Sequence, residues 1–171
     1  MAALNILGGV AVLGSYAYGP SSHPTTRAEL WGGVPQSIRP AYTLWMPLAA
    51  AGYFLFTYFL FLRADAQNAR VAQRFDFRAF NLLYAVILVP SALWMPLTFE
   101  MIENPSAILW WAIRLVLWIV GLGSVALVGG LLTLRPRQPT RSYWLAVAGS
   151  IAFTVQTALI DALVWTAYFP A

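Results

Sequence analysis

One apolar stretch decides the fold: residues 106–134 read SAILWWAIRLVLWIVGLGSVALVGGLLTL and contain a single charged side chain, Arg114. At 1.5 Å per residue, a helix of this length can cross roughly 30 Å of hydrocarbon. Backbone N–H and C=O groups find no water inside lipid, so a spanning segment must be a helix or belong to a closed barrel. The alternating pattern of a barrel strand is absent, and the stretch therefore predicts a transmembrane helix.

Four further stretches are apolar enough to be spans: residues 3–19, 42–62, 79–99 and 143–168. The sequence therefore predicts an all-α integral membrane protein in which residues 1–171 form a single domain of five transmembrane helices. Composition favours the same class, because the chain is 60% hydrophobic and 9% charged, whereas soluble domains average about 45–50% and about 25%. The apolar N-terminus lacks the basic residues of a signal peptide, and we interpret it as the first span.

Arginine placement predicts how the chain threads the membrane. The second and fourth connections hold seven of the ten basic residues: Arg63, Arg70, Arg74, Arg78, Arg135, Arg137 and Arg141. The first connection has Arg27 and Arg39, and the third has none. Connections rich in arginine stay in the cytoplasm, so we expect a cytoplasmic N-terminus, an outside C-terminus and a multi-pass protein of the bacterial inner membrane. Membrane topology accounts for the net charge of +4, and nucleic acid is not an expected partner.

The residue inventory excludes several kinds of chemistry. The chain has no cysteine and no lysine, which removes disulfides, thiolate metal sites, cysteine nucleophiles and lysine Schiff bases. No metalloprotease, nucleophile-elbow, phosphate-loop or dinucleotide motif is found. His23 and Glu29 in the first connection are too few for a metal site, and we expect His23 to be solvated. We predict no catalytic residue, no metal and no covalently bound cofactor.

Two charged side chains lie inside predicted spans, namely Arg114 in the fourth and Asp161 in the fifth. Intramembrane charges are costly and need a physical reason. Both lie roughly 13 Å inside the outer end of helices that run in opposite directions, so they could pair. One interpretation is a polar spot that orients a ligand in an apolar pocket. The other is a structural ion pair, with Arg114 reaching toward the interface and Asp161 protonated or hydrogen-bonded.

Tryptophan is abundant, with eight residues in the chain. Trp110, Trp144 and Trp165 fit an interfacial aromatic belt. Trp45 and Trp94 each precede a proline in the repeated pentad Leu-Trp-Met-Pro-Leu, at residues 44–48 and 93–97. These prolines should kink their helices, and the two indoles either join the belt or face an interior pocket, where aromatic faces suit flat conjugated ligands.

Small residues in the fourth span permit a close approach by another helix. They are Gly121, Gly123, Ser124, Ala126, Gly129 and Gly130. The approaching helix either belongs to this chain or to a partner, so the pattern is compatible with a homodimer or a larger membrane complex.

A resemblance to a known family rests on several of these residues. Residues 91–99, Ser-Ala-Leu-Trp-Met-Pro-Leu-Thr-Phe, resemble the Asn-x-x-Trp-x-Pro-x-Phe-Phe run of the tryptophan-rich sensory protein and translocator protein (TspO) family. Asp161 stands where that family tends to carry asparagine after an Ala-x-x-Leu pattern. Small size, five helices and a long first connection are also similar. The family's first-loop motif is reduced here to residues 31–35, Trp-Gly-Gly-Val-Pro, and the asparagine of its third helix is replaced by Ser91.

The resemblance implies a cavity that opens toward the first connection and accepts tetrapyrroles, sterol-like lipids or similar flat hydrophobic molecules. Its walls here would be Trp31, Trp45, Trp94 and Asp161, with Arg114 at the same depth. The leading hypothesis is therefore a non-enzymatic protein that binds or transports such ligands. A second is a structural accessory subunit of a respiratory or photosynthetic membrane complex, and a third, a membrane-embedded enzyme, lacks a nucleophile or metal set.

Overall fold

A computed structural model of the chain describes residues 1–137 and 139–169 and is 77% helical. Five long helices follow one another: α1 (Ala2–Ser22), α2 (Arg39–Leu62), α3 (Ala79–Glu103), α4 (Ala107–Leu132) and α5 (Arg141–Tyr168). All five are long and apolar enough to cross a membrane. The prediction of five such helices is confirmed.

The helix ends differ from the predicted ones by a few residues, and local hydrogen bonds explain two of them. Helix α1 continues through Pro20 to Ser22, where the Ser21 and Ser22 hydroxyls donate to carbonyls of the preceding turn. Helix α4 begins after Ser106, whose Oγ accepts the Leu109 N–H at 3.2 Å and so satisfies one free donor of the first turn.

The helices pack side by side in the order α1, α3, α4, α5 and α2. The most extensive contact joins α2 and α5. It is centred on two glycines, because a Cβ on Gly52 would lie 2.3 Å from the Gly149 carbonyl oxygen. Helix α1 meets α3 in a similar way at Gly8, where a Cβ would lie 2.8 Å from the Leu88 side chain.

The small residues of α4 serve packing within this chain. A Cβ on Gly121 would lie 3.0 Å from Ala158 in α5, and one on Gly123 would lie 3.0 Å from Val86 in α3. Gly130 faces the Phe80 ring in the same way. Gly129 has nothing within 4 Å of the added carbon. Intrachain contact therefore explains most of the small-residue pattern.

A small antiparallel sheet joins the second and fourth connections, which the all-α prediction did not contain. Its strands are β1 (Arg70–Val71), β2 (Phe75–Asp76) and β3 (Leu134–Arg135), in the order β2-β1-β3. Val71 and Leu134 are paired and buried against the bundle, whereas Arg70 pairs with Asp76 through a 2.9 Å ion pair. We call this end of the molecule the sheet end.

Residues 23–38 cover the opposite end, which we call the first-loop end. They contain a 3-10 helix at Arg27–Trp31, after which the Gly33 N–H donates to the Tyr168 carbonyl at 2.8 Å. The end of α5 is therefore tied to the first loop by backbone bonding.

His23 corrects the expectation of a solvated loop histidine near Glu29. Its ring stacks on Phe99 with centroids 4.3 Å apart, and its Nε2 lies 3.2 Å from Glu103 Oε1. Nδ1 lies 3.0 Å from the Gly19 carbonyl oxygen. Because α1 runs on to Ser22, His23 follows its last turn and joins the ends of α1 and α3. Within the described residues no group of three His, Asp or Glu side chains could hold a metal ion.

Candidate ligand-binding site

The second half of α5 winds as a π-helix from Val155 to Trp165. Such windings are rare, and they occur frequently at functional sites. Gln156 and Asp161 lie five positions apart, which would turn them about 140° away from each other in an α-helix. The wider π winding, whose backbone bonds join residues five apart, brings them together. Gln156 Nε2 donates to Asp161 Oδ1 at 2.7 Å, and both side chains are buried.

Helix α4 completes a polar layer beside this pair. The Thr157 hydroxyl donates to Ser124 Oγ at 2.8 Å, and Ser124 Oγ donates to the Gly121 carbonyl at 2.7 Å. The contact is possible because Gly121 lets the backbone of α5 come close at Ala158. Buried hydroxyls that bond one another remove the cost of leaving polar atoms in hydrocarbon.

Asp161 is 9% exposed and is surrounded by aromatic side chains from three other helices. From α2, the Tyr42 hydroxyl lies 3.5 Å from the Ile160 carbonyl. From α4, Trp118 Nε1 donates to the Ala162 carbonyl at 3.3 Å. Tyr16 of α1 lies within electrostatic range of the carboxylate. Asp161 is therefore buried inside the bundle, where Tyr42 and Trp118 reach the backbone on either side of it.

Arg114 does not pair with Asp161, which corrects one of the two proposed roles for these charges. Among residues 1–137 and 139–169, the ion pairs join His23 to Glu103 and Arg70 to Asp76. Trp118 lies one turn along α4 from Arg114, and it is Trp118 whose Nε1 reaches the Ala162 carbonyl in α5. Arg114 accordingly lies one turn nearer the first-loop end, on the same side of α4 as Trp118.

The Arg114 guanidinium is held by aromatic faces instead of a carboxylate. Its central carbon lies 5.5 Å, 5.0 Å and 6.0 Å from the ring centroids of Trp110, Trp111 and Trp118. Trp111 and Trp118 are exposed on the outer surface of the bundle. Cation–π contact with indoles is attractive and strengthens when water is excluded. Arg114 therefore lies partly buried among these indoles, and its Nε is buried without a hydrogen-bond partner among the described residues.

An aromatic cluster fills the first-loop end next to the polar layer. Trp165 lies at its centre, with ring centroids 5.6 Å from Trp94, 6.4 Å from Trp110 and 4.5 Å from Phe169. Trp165 Nε1 also donates to the Leu30 carbonyl at 2.9 Å. Trp110 and Trp165 are buried, so the interfacial-belt interpretation is wrong for both. Trp144, at the start of α5, is exposed and fits it.

The two indoles of the repeated pentads lie in different surroundings. Trp45 is half-buried, and its Nε1 donates to the Ala152 carbonyl of α5 at 3.1 Å. Trp94 is 7% exposed and packs against Tyr16, with ring centroids 5.5 Å apart. Helices α2 and α3 continue through Pro47 and Pro96 respectively.

Trp31 belongs to the first loop and lies on the first-loop side of Trp45 and Trp94. Its ring meets Tyr42 edge-on at 5.9 Å, and the Arg39 guanidinium lies 5.2 Å from its centroid. The structure thus brings Trp31, Trp94 and Asp161 to the first-loop half of the bundle through Tyr42, Trp165 and Tyr16. Trp45 lies further along α2 toward the sheet end, and Arg114 lies among Trp110, Trp111 and Trp118.

Two buried polar atoms near Asp161 lack a hydrogen-bond partner among the described residues, namely Trp94 Nε1 and Gln156 Oε1. An unmet buried donor or acceptor costs about 1–3 kcal/mol. Native structures therefore keep few of them, and such atoms commonly mark a place where another molecule bonds. Sequence reasoning selected Trp94 but missed Gln156, because only the π winding brings Gln156 to Asp161.

Two depressions were found on the molecule, and neither has Trp94 or Asp161 in its walls. One is an open groove of about 520 Å³ beside the start of α2, lined by Gln36, Arg39, Pro40, Thr43, Leu44 and Pro47. The other, of about 20 Å³, lies at the sheet end between Phe59, Leu134 and Tyr143. The site around Asp161 is packed by its own aromatic side chains, so a ligand must displace one of them.

Tyr16 is the side chain best placed to move. It is 38% exposed on α1, although its ring covers Trp94 and lies close to Asp161. Helix α1 buries the smallest share of its surface among the five. Moving the Tyr16 ring aside would uncover Trp94.

Comparisons with models of protein families, with curated proteins and with solved structures find no match to this chain.

Proposed function

We propose that this chain is a multi-pass protein of a bacterial inner membrane, with its N-terminus in the cytoplasm and its C-terminus outside. The sheet end carries the second and fourth connections together, and these hold seven of the ten arginines. The first-loop end carries the first connection and the end of α5. Under the positive-inside rule the sheet end faces the cytoplasm.

Reporter fusions test this orientation. A phosphatase that is active only outside the cytoplasm should be inactive when fused after Arg137 and active when fused after Asn104. A fluorescent protein that folds only in the cytoplasm should give the opposite pattern at the same two positions. Phosphatase activity after Arg137 would reverse the assigned topology.

We infer that the bundle binds a flat hydrophobic ligand, such as a tetrapyrrole, a sterol-like molecule or another aromatic lipid. The observation that carries this proposal is the buried Trp94 indole, whose N–H is unbonded although it lies among aromatic rings and close to a polar layer. A ligand with one polar edge would satisfy this donor while its rings stack on the indoles. The resemblance to the tryptophan-rich sensory protein and translocator protein family favours the same ligand class.

The ligand would replace Tyr16 on the face of Trp94. Tyr16 and Trp165 now lie on Trp94 with ring centroids 5.5 Å and 5.6 Å away. Since Tyr16 is partly exposed, moving its ring aside uncovers Trp94 without disturbing the tightly packed α2 and α5 contact. Lipid-soluble molecules can reach this position from the bilayer.

Titration with octaethylporphyrin, a porphyrin without carboxyl groups, tests the binding proposal. The chain purified in mild detergent should bind octaethylporphyrin saturably, with a shift of the porphyrin absorbance band. Trp94→Phe keeps an aromatic ring but removes the unbonded N–H, and we expect about tenfold weaker binding. Trp144→Phe, at an exposed position of the opposite end, should bind like the unmodified chain. Equal affinity of the Trp94 and Trp144 variants would reject the site.

A structural accessory subunit is the second candidate function, and the surface of α1 favours it. Its outward face exposes Ile6, Leu7, Val10 and Leu13, and an added Cβ at Gly9 or Gly14 meets nothing within 4 Å. Small residues beside exposed aliphatic ones permit docking of a further helix. If the purified chain binds no porphyrin and stays folded only together with other membrane subunits, this function replaces ligand binding.

A further inference from the structure

We propose that Asp161 makes the site selective for flat hydrophobic molecules that carry a cationic nitrogen, such as a protonated amine. The inference rests on the proposed ligand-binding function and names the chemical class of its ligand. The site holds a carboxyl group, Asp161, whose bonded partner is a neutral amide, and the oxygen of that amide is unbonded among the described residues.

The carboxylate has no cationic partner in the part of the chain that the structure describes. Its Oδ1 accepts from Gln156, a neutral amide. The nearest groups from the neighbouring helices are neutral, namely Tyr16 from α1, Tyr42 from α2 and Trp118 from α4, and Arg114 lies one turn further along α4. A buried charge without a counterion is strongly disfavoured, so an incoming cation would be stabilised by more than its hydrogen bonds.

The arginine that could have neutralised Asp161 is held elsewhere. Arg114 lies within 6.0 Å of three indole centroids, and two of those indoles face outward. To reach Asp161 it would have to leave all three cation–π contacts. The Asp161 carboxyl group inside the bundle therefore remains available to a cationic ligand.

Two acceptor groups lie together at this site, the Asp161 carboxylate and Gln156 Oε1. The Gln156 side-chain amide donates to Asp161, and Gln156 Oε1 has no hydrogen-bond partner among the described residues. A carboxylate and an amide carbonyl together match the several N–H donors of an ammonium group. Trp94 supplies an aromatic face, which attracts cations as well as flat rings. A ligand that ends in a carboxylate would meet repulsion instead.

Three probes with the same ring system test the proposal: pyrene, pyrenemethylamine and pyrenecarboxylate. Binding to the whole chain in lipid nanodiscs is measured by energy transfer from tryptophan, with empty nanodiscs correcting for partition into lipid. Charge-assisted hydrogen bonds favour the amine, and we expect it to bind about ten- to a hundredfold more tightly than pyrene. Pyrenecarboxylate should bind most weakly.

Variants separate the charge from the shape of the site. Asp161→Asn should keep pyrene binding and remove the preference for the amine, whereas Asp161→Glu should keep the preference. Arg114→Gln should leave the preference for the amine unchanged. Equal binding of the three probes would overturn the cationic ligand class while leaving hydrophobic binding intact. Failure of all three to bind the folded chain would overturn both proposals.

Discussion

Replacing Gly149 with leucine is expected to destabilise the bundle by about 3 kcal/mol or more, the upper end of the usual range for overpacking. A Cβ at this position would lie 2.8 Å from the Gly52 carbonyl oxygen and 2.9 Å from the Gly52 Cα. Both are backbone atoms, which cannot rotate aside as a flexible side chain can. The two helices with the most extensive contact in the molecule, α2 and α5, would have to separate.

Thermal unfolding in detergent, followed by gel filtration of the fraction that stays soluble, measures this effect. Gly129→Leu is the matched control, because it places the same side chain in a helix where nothing lies within 4 Å. The control should unfold close to the unmodified chain. If the Gly149 and Gly129 variants unfold at the same temperature, α2 and α5 do not approach as closely as Gly52 and Gly149 place them.

Trp165→Ala is expected to cost about 3–5 kcal/mol, as large-to-small changes at buried aromatic residues do. The indole contacts Trp94, Trp110 and Phe169, so its removal opens a cavity in the middle of the aromatic cluster. It also leaves the Leu30 carbonyl without its donor, so that the Gly33 bond to the Tyr168 carbonyl alone still joins the first loop to α5 by a hydrogen bond among the described residues. Residues 23–38 should then become sensitive to protease.

Trp144→Ala is the control for this prediction. Trp144 lies in the same helix but is 52% exposed, so its removal should change stability by only about 0.5 kcal/mol. The loss of stability for Trp165→Phe should fall between those of Trp165→Ala and Trp144→Ala, because phenylalanine keeps most of the ring contacts but loses the bond to Leu30. Equal unfolding temperatures for the Trp165→Ala and Trp144→Ala variants would contradict the central place of Trp165.

Sequence predicted the five helices because hydrocarbon imposes one strict condition, that each backbone group be bonded within its own segment. Length and lack of charge suffice to recognise such segments, as residues 106–134 illustrate. The predicted ends of the helices were less accurate. Helix α1 passes Pro20, since the Ser21 and Ser22 hydroxyls bond the carbonyls of the last turn. A proline alone therefore did not end that helix.

The small sheet could not be predicted, because its turn lacks the usual signals. Ala72 and Gln73 adopt positive φ angles of 50° and 59° between β1 and β2, where glycine or asparagine is normally found. The third strand comes from a distant connection, and only the packing of α3 against α4 brings Leu134 to Val71.

The candidate site was predicted in part. Position along the helices gave the depths of Trp94 and Asp161, but not the faces on which side chains lie. Trp110 and Trp165 were therefore assigned to the interface although they are buried, and Arg114 was given Asp161 as a partner although it faces three indoles. Gln156 was missed altogether, because its neighbour five positions away becomes adjacent only in a π-helix.

The amino-acid sequence by itself determined that five apolar helices form, since that depends on local composition and on the cost of unbonded backbone groups in lipid. Tertiary structure alone decided what the polar residues inside them do. Asp161 has a neutral amide as its partner because the winding of α5 and the approach of α4 at Gly121 fix which side chains meet. The π winding of α5 has no signal in the local sequence pattern, and the approach of α4 depends on residues far apart in the chain.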